Sequence, residues 1–201
     1  MLNSTPLVAS ATNPLCTFVR RQVLPAKPHV LWRIHAGLVR TLTWNDEGDI
    51  VPVGFWGPGS LLGPEIAQVT PYEIHPLTRV EASPVSAYLP LPNRVLLEHV
   101  QHTSAMMRIL HHHRVEDRLV NLLVWLAKRF GKLDPRGLQM QLPLTHQEIA
   151  ETIGTTRVTV TRMLKHLEAE GKVTWSRHQQ VIHRACLTGR DLRLPRDMVV
   201  S

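Results

Sequence analysis

Residues 144–171 read LTHQEIAETIGTTRVTVTRMLKHLEAEG, and the reading of this stretch decides the architecture of the second half of the chain. Thr145-His146-Gln147-Glu148 has the form of a capping box: the threonine hydroxyl accepts from a first-turn amide while the glutamate reaches back to the amide of Thr145. Ile149, Ala150 and Ile153 then give a short helix one apolar stripe, and Gly154 supplies a turn. A second helix follows, with Thr156 as its N-cap and Val160, Leu164 and Leu167 spaced i, i+4, i+7 towards a core. At about 100° per residue the opposite face gathers Arg157, Val158, Thr161, Arg162 and Lys165. Two short helices joined by a glycine-containing turn predict a helix-turn-helix. Beyond Gly171, residues 172–175 and 181–183 are β-rich and flank the polar Ser176-Arg177-His178-Gln179-Gln180, which predicts a hairpin wing.

The chemistry of that outward face suits duplex DNA. An arginine at the start of a helix lying in the major groove can donate twice to guanine O6 and N7, and a valine beside it can press on a thymine methyl. Arg157 and Val158 stand in those places, and Arg162, one turn on, can reach a second base or a phosphate. Thr145, Gln147, Thr156, Thr159, Thr161 and Lys165, with the first-turn amides, suit phosphate oxygens, which position a protein without reading sequence. The competing reading of such a face is a solvated helix surface; the order of cap, helix, glycine, capped helix and wing favours the motif.

The charge distribution agrees. The chain has 201 residues and a net charge of +7. Residues 1–100 carry seven basic and seven acidic side chains, so the whole excess lies in residues 101–201. A neutral half followed by a basic half implies two modules, the second facing a polyanion. The longest mostly apolar stretch, residues 119–127, is far short of the roughly 20 residues a membrane helix needs. The first nineteen residues hold no Lys or Arg, unlike a secretory or transit segment, and Cys16 and Cys186 are too few for a disulfide framework. A cytoplasmic protein is expected.

Residues 1–17, rich in Ser, Thr, Asn, Ala and Pro, predict a flexible tail. Residues 18–90 hold short β-branched and aromatic runs, notably 30–34 and 38–44, separated by turn signals such as Asn45-Asp46-Glu47-Gly48 and Gly57-Pro58-Gly59, which predicts an antiparallel barrel or sandwich. Prolines then stop for forty-two residues after Pro92 and a helix is expected over residues 91–113. Along it Leu96, Val100, Thr103, Met107 and Leu110 fall on alternating heptad positions, as in a dimer seam; the same spacing also fits a helix packed on its own barrel. Residues 114–201 open with Leu119, Leu122, Leu123, Leu126 and Phe130 at helical spacing, ended by Gly131 as a C-terminal cap.

With these motifs in hand, the stretch 144–171 resembles the winged helix-turn-helix of the Crp/Fnr family of transcription regulators, and residues 156–162 are especially similar to the cyanobacterial NtcA type. The resemblance implies an α+β fold: an N-terminal β-roll (a cyclic-nucleotide-binding-like jelly roll), a long dimerisation helix and a C-terminal winged helix-turn-helix. It also implies a homodimer on a palindromic operator, with Arg157, Val158 and Arg162 reading a GTA…TAC-like half-site. RNA polymerase or another regulatory protein would be a further partner.

Where the family holds an effector, this sequence departs from it. In cyclic-nucleotide-binding members a Gly-Glu-Leu turn and an Arg-Ser or Arg-Thr pair hold the phosphate. Here Gly63-Pro64-Glu65-Ile66 occupies the turn and His75-Pro76 the place of the pair, so a cyclic phosphate loses its charge partner and an amide donor. Alignment puts His99 and Ser104 where NtcA-type proteins bind 2-oxoglutarate through Arg and Glu. Gly63, Glu65, His75, His99 and Ser104 are therefore expected to form a degenerate effector pocket, not controlled by cyclic AMP. Two cysteines cannot hold an iron–sulfur cluster of the Fnr type, and His111-His112-His113 cannot converge on one ion from one helix. No cofactor or metal is expected. Two other classes stay open: a metal-dependent β-barrel enzyme using His75 or Glu65, for which no ligand-spacing motif exists, and a protein-interaction module derived from a DNA-binding regulator.

Overall fold

The computed structural model describes residues 14–176 and 179–187; residues 1–13 of the tail expected over 1–17, residues 177 and 178 of the expected wing, and residues 188–201 lie outside them. The described chain is α+β. Strands β1 (Cys16–Phe18), β2 (Val30–Ala36), β3 (Val39–Trp44), β4 (Ile50–Trp56), β5 (Leu61–Leu62), β6 (Glu73–Pro76) and β7 (Val80–Ser86) form two antiparallel sheets, ordered β1-β7-β2-β5 and β4-β3-β6. A short helix, α1 (Pro64–Ala67), interrupts them. Leu24, Trp32, Ile34, Val39, Trp56, Leu62, Tyr72, Ile74, Val80 and Ala82 fill the space between the sheets.

Cys16 and Thr17 belong to this roll and not to a tail. They lie in β1, which pairs with β7 so that Cys16 faces Ala82 and Phe18 faces Val80. The Phe18 ring meets Trp32 edge-on with 5.2 Å between centroids, and that aromatic contact anchors a strand too short to read from sequence.

Two helices follow, α2 (Asn93–Leu110) and α3 (Val115–Phe130). The two faces of α2 differ. Val95, His102, Ala105, Met106 and Ile109 are buried on one side, while Leu96, Val100, Thr103, Met107 and Leu110 are exposed on the other. The helix therefore packs on its own roll through one stripe and leaves the heptad seam uncovered. Gly131 does follow α3 directly, but its φ of −95° is not the left-handed conformation of a glycine cap. Glycine is required there for space, because a Cβ would run into the carbonyl oxygens of Ala127 and Gln139.

The second module is a winged helix-turn-helix. Strands β8 (Lys132–Asp134) and β9 (Gly137–Met140) precede helices α4 (His146–Ile153) and α5 (Arg157–Ala169), and β10 (Val173–Trp175) and β11 (Gln180–His183) close the sheet in the order β10-β11-β9-β8. One apolar cluster runs from Phe55 and Leu77 of the roll through Met106 and Ile109 of α2 and Leu119, Leu122, Leu123 and Leu126 of α3 into Ile149, Ile153, Val160 and Leu164. The two modules thus share a core.

Ion pairs reinforce that junction. Arg40, on β3, is 8% exposed; its Nη1 donates to Glu151 Oε2 at 2.7 Å and its Nε lies 3.9 Å from Glu148 Oε1. Arg20 Nη2 donates to both Glu148 carboxylate oxygens, at 3.0 and 2.8 Å, and its Nη1 to the carbonyls of Leu77 and Pro143. Removing one partner of a buried pair leaves the other charge uncompensated, while the nearby Glu148 retains part of the attraction. Glu151→Gln should therefore destabilise the protein by about 2 kcal/mol in denaturant unfolding. Arg40→Met in the same background should recover most of that loss, since it removes the stranded charge.

Candidate nucleic-acid interface

Helix α4 starts as its sequence demands. Thr145 Oγ1 accepts from the Glu148 amide at 3.1 Å, and Glu148 Oε2 accepts from the Thr145 amide at 2.7 Å, completing the capping box. At the other end Gly154, with φ 66°, takes the left-handed conformation that turns the chain into α5. Thr156 then caps α5, its hydroxyl accepting from the Thr159 amide at 3.2 Å. Val160, Leu164 and Leu167 are buried beneath, which leaves Arg157, Val158, Arg162 and Lys165 in solvent.

Val158 is 77% exposed, an apolar side chain standing free beside an arginine at the start of a helix. Together with Thr161, the same four residues line a shallow concavity on the surface of α5. The face combines cationic donors with one apolar contact, as base edges in a major groove require.

The threonines expected at phosphates are already committed within the motif. Thr145 Oγ1 also donates to Glu148 at 3.0 Å, the Thr156 and Thr159 hydroxyls lie 2.9 Å apart, and Thr161 Oγ1 donates to the Arg157 carbonyl at 2.9 Å. Gln147 Nε2 donates to Glu151 Oε1 at 3.1 Å, at the edge of the ion-pair cluster. Thr145 and Thr156 hold the helix starts; Arg157, Arg162 and Lys165 carry the outward charge.

The five residues expected around an effector lie on α1 and its N-terminal edge, on β6 and on α2. Gly63 is pressed against Leu31 and the Val30 carbonyl, and Glu65 accepts from the His29 amide. His75 pairs with Glu73 at 2.6 Å on β6, His99 Nε2 meets the Leu61 carbonyl at 2.9 Å, and Ser104 is exposed on α2. The region between the roll and α2 is filled by rings. Trp56 is stacked on His102, with centroids 4.1 Å apart, and tilted against His99 at 4.3 Å. His102 Nε2 accepts from the Phe55 amide at 3.0 Å, and its ring meets Trp125 edge-on. Glu98 receives Ser60 Oγ at 2.9 Å and the Arg129 guanidinium, joining α2 to both the roll and α3. None of Trp56, His102 or Trp125 was legible as a set, since they lie on three separate elements.

Among the described residues, one group of metal-capable side chains converges: Glu116 on α3 with His166 on α5 and Glu170 at its C-terminal cap. Lys172 Nζ sits on Glu170 at 2.8 Å, so a cation already satisfies that carboxylate. The triple histidine after α2 is exposed.

Comparisons with known proteins match this architecture. Residues 117–187 fit the Crp-like helix-turn-helix domain. The regulatory protein CysR of Synechococcus elongatus is 40% identical over 157 residues, covering 77% of this chain and 76% of the relative. This chain belongs to the Crp/Fnr family. It is a DNA-binding transcription regulator of that family, similar also to the global nitrogen regulator of Nostoc sp., 30% identical over 77% of this chain and 65% of the relative. Among solved structures, a CRP-family transcriptional regulator from Thermus thermophilus superimposes with a TM-score of 0.71, covering 90% of this chain and all of that one. At 21% identity that likeness shows the fold. The Crp/Fnr family consists of transcription regulators, and among the described residues no helix is long and apolar enough to cross a membrane.

The ring stack makes a pH prediction for this Crp/Fnr protein. Burial, with the positive charge of Arg129 and His99 nearby, pushes the His102 pKa down to about 3. The unfolded chain takes up that proton near pH 6.5, whereas the folded protein does not until far lower pH. Above about pH 6.5 the two states hold equal protons at this site; below it the unfolded state holds one more, so stability falls with pH by up to about 1.4 kcal/mol per unit. Unfolding measured between about pH 7 and pH 5 should show a smaller acid loss in His102→Gln than in the unaltered protein, because the amide oxygen can accept from Phe55 without titrating.

Proposed function

We propose that the protein acts as a homodimer on a palindromic operator in the cytoplasm, one recognition helix per half-site, and that cyclic AMP does not control it. The observation that carries this reading is the exposed Arg157-Val158 pair, one turn from Arg162, on a capped helix whose other face is buried. Arg157 donates to a guanine, Val158 packs on a thymine methyl and Arg162 reaches the next base or a phosphate, on a half-site of the GTA…TAC kind. Lys165 and the first-turn amides of α4 and α5 meet phosphates, with Thr145 and Thr156 capping those turns and Gln147, Thr159 and Thr161 beside them.

The uncovered stripe of α2 supports the dimer. Val100 and Met107 are 62% and 66% exposed at heptad positions, with Leu96, Thr103 and Leu110 completing the row. Such a row in water is stabilised by a second copy. The ring-filled region beside α2 supports independence from cyclic AMP, since Trp56, His99 and His102 occupy the ground between roll and helix. RNA polymerase, or another regulatory protein docking on the roll, is the further partner this reading includes.

Binding to a GTA…TAC duplex and to a scrambled control over a salt series tests it. Equal affinity for both would sink specific readout. Arg157→Ala should cost about 1–3 kcal/mol on the palindrome and relax discrimination at its base, whereas Lys165→Ala should mainly lower the salt slope by about one. Val100→Glu with Met107→Glu should shift the protein to monomer in sedimentation.

A further inference from the structure

The start of α5 is held by two devices. The Thr156 cap is local. The other crosses from the neighbouring helix: His146 Nδ1, at the first position of α4, lies 2.7 Å from Thr161 Oγ1. That hydroxyl also reaches the Arg157 carbonyl at 2.9 Å, one turn back along α5.

A hydroxyl carries one hydrogen. With that hydrogen given to the Arg157 carbonyl, the oxygen accepts from the imidazole, so both bonds form together when Nδ1 bears the ring hydrogen. Nε2 is then the nitrogen that titrates. Burial first, and then the charge of Arg157, lower the pKa of His146, with Glu168 acting in the opposite sense. Protonation at Nε2 leaves the Nδ1–H bond intact, so the arrangement does not depend on the charge of the ring.

A threonine bonded to the carbonyl four residues back is common in helices and does not by itself fix a helix in space. The second bond, from α4, does. It ties the turn bearing Arg157 and Val158 to the helix that the roll grips through Glu148 and Glu151.

We propose that His146 is a positioning residue for base readout: through the Thr161 hydroxyl it fixes, against α4, the turn of α5 from which Arg157 and Val158 project. The inference rests on the reading of α5 as the base-reading helix. A bidentate arginine–guanine contact demands direction, whereas phosphate contacts by long side chains tolerate small shifts. Loss of the brace therefore lowers discrimination and leaves non-specific binding in place.

The test uses the full chain and a duplex selected by the unaltered protein from a random library, with a scrambled duplex as control. His146→Ala should lower the ratio of specific to non-specific affinity about fivefold, the loss expected for one side-chain hydrogen bond, with unchanged salt slope. His146→Asn should restore the ratio, because its amide N–H can take the place of Nδ1–H. Thr161→Val should reproduce the loss, and His146→Ala with Thr161→Val should be no worse than either alone. Equal loss on both duplexes would make His146 a phosphate contact and overturn the proposal, as would an asparagine variant no better than alanine.

A second readout needs no DNA. Amide hydrogen exchange at Val160 and Thr161 in the free protein should quicken in His146→Ala and not in His146→Asn, and unchanged rates would overturn the brace. Failure of the unaltered protein to select any sequence would instead strike the base-reading assignment, with the exchange experiment still deciding the brace.

Discussion

Glu148 is the point on which the rest of the arrangement turns. Its carboxylate closes the capping box of α4 and receives the Arg20 guanidinium from the roll, with Arg40 at 3.9 Å. A local rule of helix initiation and a long-range contact between modules share one side chain. The orientation of α4 is therefore not set by its own segment alone. Because α5 follows α4 through the left-handed Gly154 and packs on it through Val160, the reading face inherits that orientation.

The same contacts change the meaning of the charge count. Residues 1–100 are neutral by sequence, yet Arg20 and Arg40 face Glu148 and Glu151 of the second half. Glu98 in turn takes Arg129. Two acidic groups of the basic half are thus neutralised from outside it against one arginine lost. The positive excess left to that half is larger than its sequence total, and on α5 it stands on the face with Val158.

What could be read in advance follows from how far each signal reaches along the chain. Thr145, Glu148, Gly154 and Thr156 act within one helical turn, and Leu119 to Phe130 repeat at helical spacing, so the two helices of the motif and the long helix before them were legible. Arg40 was not, although a charge inside the β-branched run of residues 38–44 was a sign that something opposite neutralises it. The partners of Arg40 lie 108 and 111 residues away, and no local pattern specifies them. Strand β1 failed for the same reason, since its anchor, Trp32, is distant in sequence. Gly131 caps α3 as its place in the sequence implies, its amide donating to the Ala127 carbonyl, but the need for glycine there is space beside Ala127 and Gln139, which only the fold reveals. Among the expected effector residues, Glu65 accepts from the His29 amide, His75 pairs with Glu73 and His99 meets the Leu61 carbonyl, contacts that no local pattern specifies.

A second path between the roll and α4 runs through α2, beside the direct contacts of Arg20 and Arg40. One face of that helix is bound to the roll through Val95 and His102, and to Ser60 and Arg129 through Glu98. Its other face is the uncovered heptad row. Helix α3 continues the path, packing on α2 through Leu119, Leu122 and Leu123, and Arg118 Nη1 donates to the Ile153 carbonyl at 2.8 Å, holding the last turn of α4. A rotation of α2 against the roll would therefore bear on α4 through α3 and Arg118, against the hold of Arg20 and Arg40 on the same helix. In a two-fold dimer that rotation alters the separation of two recognition helices, which must match one turn of DNA, about 34 Å. Trp56, His99 and His102 pack against one another on the roll side of α2, so a shift of that helix has to move with those rings.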